Sequence, residues 1–393
     1  MRLLLALFLA IPALGPAVLA QTVTPRGDDG TFDVVAWNIE HLGDPGFAPS
    51  DNLQLNNVEA IIEQGEIDLW AIQEVGSADA WADLVGRLQD DGYGARLGPE
   101  TPGSFQLRLG FIYDTSVIQV LGSQAILSGG NFGGRQPFEL RARVTAGGQA
   151  RTVRIIGLHA KAGTSASDYT NRTNGAALLK TYIDERIDRG ESVILLGDFN
   201  DFLTRSTRRS EPTSPYAAFL ADADYAAATL GIEEANVPTL CGNVGCTIGS
   251  TRDHILYTAD LSASFVEGDR YSEVLQEIQG FVNTTSDHAP VLARFAFAPV
   301  AAEETPDGGI ELLAAAPSPF RGATRLRFRL ASPTEVSVEV FDVLGRRVAQ
   351  QSGAFGAGDQ TIALDGSRWA PGAYLVRVNA DGAVRTQTII RAE

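Results

Sequence analysis

Between Thr31 and about Ala298 the chain repeats one pattern: a short, apolar, β-branched run that breaks off into a cluster of polar residues. Ser192–Leu196, almost wholly apolar and followed by Gly197-Asp198-Phe199-Asn200, is the clearest case. A run of that kind suits a strand covered on both faces inside a layered sheet. By the same signs Phe32–Trp37, Ile67–Ile72, Leu109–Tyr113, Phe138–Val144, Val153–Leu158, Ile255–Tyr257 and Val291–Phe297 read as strands. Between them Leu53–Gln64, Ala80–Leu88 and Asn174–Ile187 carry helical spacing. Such alternation predicts an α/β (α+β) domain over residues 31–298, with helices covering sheets.

The pattern changes beyond that domain. Pro299–Asp307 opens a linker placed at 299–315, and residues 316–393 then alternate apolar and polar in short runs: Thr324–Leu330, Val336–Val343, Thr361–Leu364 and Ala373–Val378. Turn signals such as Asn379-Ala380-Asp381-Gly382 separate them, and no helical period is present. This predicts a small all-β immunoglobulin-like sandwich. At the other end, Met1-Arg2, the apolar run Leu3–Leu19 broken by Pro12 and Pro16, and small residues before Gln21 predict a signal peptide over 1–20. No further stretch is long and apolar enough to span a bilayer once that signal is removed. Export permits a disulfide between Cys241 and Cys246, and two thiolates alone make a poor zinc site. The net charge of -17 argues against a broad electrostatic grip on nucleic acid, which needs clustered Lys and Arg.

The polar clusters at the strand ends share one chemistry. Glu74, Asp198 and Asp287 offer hard oxygens that suit Mg²⁺, with Mn²⁺ and Ca²⁺ as alternatives. Asn38 and Asn200 add amide groups, and His159 and His288 offer proton transfer. Phosphodiester hydrolysis needs this combination: a cation for the phosphoryl oxygens, a base for water and donors to the transition state. Singly, each residue reads as a turn cap or a strand end; it is their joint occurrence at strand termini that points to a site. All four histidines, His41, His159, His254 and His288, fall in or beside these segments. Arg172, and the cluster Arg205, Arg208 and Arg209, are candidates for contact with a substrate phosphate.

Taken together, Trp-Asn-Ile-Glu at 37–40, Gln-Glu at 73–74, Leu-His-Ala-Lys at 158–161, Gly-Asp-Phe-Asn at 197–200, Arg-Asp-His-Ile-Leu at 252–256 and Ser-Asp-His-Ala-Pro at 286–290 resemble the endonuclease/exonuclease/phosphatase superfamily. The resemblance implies a four-layer α-β-β-α sandwich with the site at one edge of the packed sheets. It implies Asn38, Glu74 and Asp287 at the metal, Glu74 as main ligand, and His159 donating to the phosphate. It further implies Asp198 and Asn200 positioning the water, and His288 as catalytic histidine oriented by Asp253. Residues 201–203 and 251–253 depart from the inositol phosphatases, and the continuation after Asn200 departs from abasic-site enzymes. The expectation is therefore a secreted metal-dependent nuclease with nucleic acid as substrate. A phosphomonoesterase or sphingomyelinase-like phospholipase is the alternative, to be separated by the loops 99–106, 129–137 and 201–215. A catalytically silent surface-binding protein is the alternative of another class. The tail, through Pro319–Thr324, Val340–Val348 and Pro371–Val378, resembles the type IX secretion sorting domain and implies the secretion machinery as partner and a secreted or cell-surface location.

Overall fold

A computed structural model describes residues 22–44, 46, 51–101, 107–297, 310–342, 345–381 and 383–392. The predicted signal peptide and most of the predicted linker lie outside them. The chain divides into two units, Met1–Pro299 and Val300–Glu393.

The apolar runs of the first unit build two six-stranded sheets. One has the spatial order Phe265–Arg270, Val291–Phe295, Phe32–Leu42, Leu69–Val75, Arg108–Asp114 and Tyr93–Leu97. The other runs Ile118–Ala125, Phe138–Ala146, Gln149–His159, Ser192–Asp198, Asp253–Thr258 and Tyr225–Ala227. Side-chain alternation splits each run between two cores. Val34 and Ala36 face the other sheet, where they share a core with Leu140, Ile155, Ile194 and Ile255. Val35 and Trp37 face outward, onto the helices Asp51–Gly65 and Ala78–Leu88. On the second sheet Ile156, Val193 and Leu195 turn outward to Leu179 and Ile183 of the helix Ala166–Ile187. Helix, sheet, sheet and helix thus stack in four layers. Because both faces of the central strands are covered, their sequence is apolar without interruption.

Two pairs of neighbouring strands are parallel, Phe32–Leu42 with Leu69–Val75 and Gln149–His159 with Ser192–Asp198. Parallel neighbours need a crossover, and the helices Asp51–Gly65 and Ala166–Ile187 supply one each. All four strands therefore finish at the same edge of the sandwich. The second crossover helix starts eight residues earlier than its predicted start at Asn174. Ser165 and Asp168 form a reciprocal capping box there, ahead of a polar first half that hid the period.

The second unit has a three-stranded sheet, Ile310–Ala316, Ala323–Leu330 and Gly358–Asp365, and a four-stranded one, Arg347–Phe355, Thr334–Asp342, Gly372–Ala380 and Ala383–Arg391. Leu326, Phe328, Val338, Val376 and Val378 fill the core between them. Its first strand begins inside the predicted linker: Ile310 is fully buried and pairs with Leu330. The alternation there is only a few residues long and runs into alanines, which concealed it.

Candidate active site

The strand ends converge as the crossovers require. Asn38 lies in the strand Phe32–Leu42, just before its register shift, and stands in register with Gln73, one residue before Glu74. His159 pairs with Asp198 across the parallel ladder, and Asp198 pairs with Asp253 on its other side. His288 precedes the strand Val291–Phe295, which runs antiparallel to Phe32–Leu42. The backbone is bent to turn these side chains inward. Among the described residues nine non-glycine positions have positive φ, and four of them, Glu40, His41, Glu74 and Asn200, lie here. Such strain persists only where surrounding structure holds it, and it concentrates at functional sites. Gly197 serves the same end: a Cβ there would meet the Leu158 carbonyl oxygen at 1.9 Å.

The side chains join across the two sheets. His288 Nδ1 and the Asp253 carboxylate lie 2.8 Å apart, both groups buried. Asp198 is also buried; its Oδ1 accepts from the Asn200 amide at 2.8 Å, and its Oδ2 from Asn200 Nδ2 at 3.0 Å and Asn38 Nδ2 at 3.3 Å. His159 Nε2 stands 3.5 Å from both Glu74 and Asp198, while its Nδ1 is buried with no partner. Two carboxylates at one nitrogen draw the ring proton to Nε2. Ser286 ties two neighbouring segments of the first sheet together, donating to the Asn38 carbonyl and accepting from the His288 amide.

Charge is distributed unevenly over this edge. Burial, then Arg135, pushes His159 well below the usual histidine range, so the ring is neutral. Burial opposes a charge on His288, but Asp253, with Asp198 and Asp287, holds it well above that range. Burial raises Asp198 to about 6, against the pull of His288. Burial, and then the Asp287 charge, raises Glu40 to about 7, with Glu74 adding to it.

The Glu74 carboxylate makes no side-chain hydrogen bond among the described residues; of the basic groups, His41 lies 3.4 Å and His159 3.5 Å away. Glu40 and Asp287 stand beside it, and the Asp287 amide donates to Glu40. Three hard carboxylates lacking a full countercharge, with the Asn38 amide oxygen beside them, fit a hard divalent cation. Among the described residues no group of three or more His, Cys, Asp or Glu is arranged to hold a metal ion by itself. Mg²⁺ needs no such group, since it is commonly held by one or two carboxylates and otherwise by water and substrate phosphate.

The structure therefore brings together Asn38, Glu74, His159, Asp198, Asn200, Asp253, Asp287 and His288. Arg172 is placed elsewhere. It is buried in an ion pair with Asp201 at 2.8 Å, and its Nη1 donates to the Lys161 and Gly163 carbonyls. Burial and pairing withdraw it from a substrate phosphate; it ties two loops together instead. His254 is also interior, 3.2 Å from Thr229 Oγ1 and from the Asp201 carbonyl, whereas His41 is at the site. Cys241 and Cys246 form a disulfide, and the Cys241 amide donates to the Asp287 carbonyl. Glu40 and Arg135 were not singled out from sequence. Glu40 closes the Trp-Asn-Ile-Glu motif, and Arg135 falls in the segment 129–137 marked as substrate-facing.

Residues 35–288 match the profile of the Endonuclease/Exonuclease/phosphatase family, and residues 315–392 that of the secretion system C-terminal sorting domain. A search of curated proteins finds no match. Among solved structures, an endonuclease/exonuclease/phosphatase from Beutenbergia cavernae is 19% identical with a TM-score of 0.51, covering 92% of this chain and 99% of that one. One from Bacteroides vulgatus is 15% identical with a TM-score of 0.51, covering 67% and 98%. At such identities the likeness speaks to the fold alone. The sorting domain marks the protein as secreted or cell-surface. The profile spans most of the chain and all eight of the convergent residues, and on that ground the chain belongs to the endonuclease/exonuclease/phosphatase family.

Proposed function

We propose that the protein is a secreted, divalent-metal-dependent phosphodiesterase, a nuclease that hydrolyses DNA or RNA. The observation that carries this reading is the juxtaposition of an undercompensated carboxylate group, Glu74 with Glu40 and Asp287, and a buried proton-transfer unit, Asp198 with His288 and Asp253. A hard cation held by Glu74, Asn38 and Asp287, when bound, neutralises charge on the phosphoryl oxygens.

The chain's own residues account for the rest. Asn200 and Asn38 fix the Asp198 carboxylate from both sides, so its rotation is blocked. Asp253 orients His288 and favours its protonated form. Asp198 and His288 influence one another's charge and act as one unit, which takes the proton of the attacking water. His159, neutral with its proton on Nε2, donates toward a non-bridging oxygen. As the water oxygen bonds to phosphorus, the opposite P–O bond breaks and its electron pair leaves with the ester oxygen.

Phe202 supports the nuclease reading over the lipid alternative. It is half-buried just past Asn200, with the guanidinium of Arg205 3.8 Å and that of Arg252 5.2 Å from its ring centroid. Cationic and aromatic groups together favour a polyanion with bases over an acyl chain. Plasmid DNA, RNA and sphingomyelin vesicles, offered in parallel with Mg²⁺, test it. Turnover of vesicles alone would replace the nuclease reading with the phospholipase.

A further inference from the structure

Cys241 and Cys246 stand five residues apart, and so short a loop restrains the unfolded chain little. What their disulfide holds is the folded hairpin Leu240–Cys241 with Gly249–Ser250. Both cysteines are buried and pack with Ala289, the residue after His288. Cys246 sits at φ +48, a conformation that a non-glycine residue keeps only where its surroundings hold it.

The hairpin lies against both members of the Asp253–His288 pair. Asp253 opens a strand of the second sheet and His288 precedes a strand of the first, so their 2.8 Å contact spans the sandwich. Thr239, fully buried, grips both sides. Its Oγ1 accepts from the amides of Arg252 and Asp253 at 2.8 and 3.0 Å, and its carbonyl accepts from the Ala289 amide at 2.8 Å. Leu240 then makes an isolated antiparallel bridge to His288, and the Cys241 amide donates to the Asp287 carbonyl at 2.7 Å. Three consecutive residues thus hold the backbone on both sides of His288 and at Asp253. The disulfide fastens the last of them.

We propose that the Cys241–Cys246 disulfide makes turnover depend on oxidation, because the hairpin it clasps sets the alignment of His288 against Asp253, with Thr239 as the positioning residue. The inference rests on the phosphoesterase reading above. Closure takes two electrons and two protons from the two thiols; in exchange with a second disulfide, that partner opens to two thiols. The sorting domain marks the chain for export, and disulfides persist outside the cytoplasm but not within it. Full turnover is therefore acquired on export. A shift of about 1 Å away from the reacting atoms can lower a rate about 100-fold, so a loosened hairpin need unfold nothing to be felt.

The full chain, oxidised and then reduced by a phosphine, is compared with Thr239→Val, Thr239→Ser and the double variant Cys241→Ser/Cys246→Ser in hydrolysis of bis-p-nitrophenyl phosphate with Mg²⁺. Reduction, the double variant and Thr239→Val are each expected to lower kcat about tenfold, with KM and the Mg²⁺ requirement unchanged. Thr239→Ser keeps the hydroxyl and is expected to match the wild type. In an Asp253→Asn background the same changes are expected to cost no more than about twofold, because the contact they serve is already weakened. A merely structural role would cost as much in both backgrounds. A second readout needs no turnover: the downfield proton resonance of the His288–Asp253 hydrogen bond, identified by its loss in His288→Ala, is expected to weaken on reduction. Equal kcat in the oxidised and reduced folded protein, or losses that add in full to that of Asp253→Asn, overturns the proposal. If the wild type hydrolyses no diester while the resonance still weakens on reduction, the function reading fails and the redox-set alignment stands.

Discussion

The two units bury different things. Of the 24 polar or charged residues buried in the described structure, all but Thr324 lie in the first unit. The sorting sandwich keeps its core apolar and its exposed faces polar, with strands such as Ala323–Leu330 alternating strictly. The first unit inserts Asp33, Asp198, Asp201, Glu233, Asp253 and three of its histidines into an otherwise apolar interior. Buried polar groups cost stability unless they are hydrogen-bonded, and charges cost more. A domain read from outside by the secretion machinery needs no such groups. A domain that moves protons and holds phosphate, as proposed for the first unit, does need them, and Asp198, Asp253, His159 and His288 gather at its candidate site.

This contrast can be broken by exchanging the expected effects. Glu74→Ala and His288→Ala should each lower turnover of bis-p-nitrophenyl phosphate at least ~10³-fold while the melting temperature holds. Comparable loss from a change in the sandwich core would erase the distinction. Asp253→Asn, which weakens the hold on His288 without emptying the space, should reduce kcat about 10- to 100-fold and leave KM near the wild-type value. Val338→Ala should destabilise the sandwich by about 2 kcal/mol, seen as an earlier chemical unfolding transition, with kcat unchanged.

The smallest effect concerns a half-buried carboxylate away from the site. Burial raises Asp68 to about 7, although it accepts a hydrogen bond from the Asp33 amide. A carboxyl whose pKa is raised on folding binds more protons in the native state. Stability is therefore greatest below the unfolded value and falls as pH rises toward about 7. Asp68→Asn should make the protein slightly more stable at pH 8 and flatten the melting curve between pH 5 and pH 8; a steeper dependence would show the sign to be wrong.

The contrast also explains what could be read in advance. The apolar strands and their polar ends were legible because burial on both faces writes a continuous signal, as in Ser192–Leu196. The sandwich was legible through alternation, except at Ile310–Ala316, where the signal is short. The convergence of Asn38, Glu74, Asp198 and His288 was legible only through the resemblance, since spacing along the chain does not place strand ends side by side. Arg172 and Arg135 show what sequence cannot distinguish. Both are arginines near motif segments, but one meets Asp201 in the interior and the other meets only carbonyls. That difference depends on which segment the fold brings to each guanidinium: Asp201, 29 residues beyond Arg172, or the carbonyls of His159 and Ala160, 24 and 25 residues beyond Arg135.

The central claim is that the charged edge of the first unit is a metal-assisted phosphodiesterase site, and one measurement tests it most directly. Wild-type protein and His288→Ala are incubated with plasmid DNA and with bis-p-nitrophenyl phosphate, each with Mg²⁺ and with chelator. The account expects plasmid loss and release of p-nitrophenol from the wild type with Mg²⁺, and neither from His288→Ala nor with chelator. Hydrolysis that survives both the substitution and the chelator, or no hydrolysis of either substrate by the folded wild type, would contradict it.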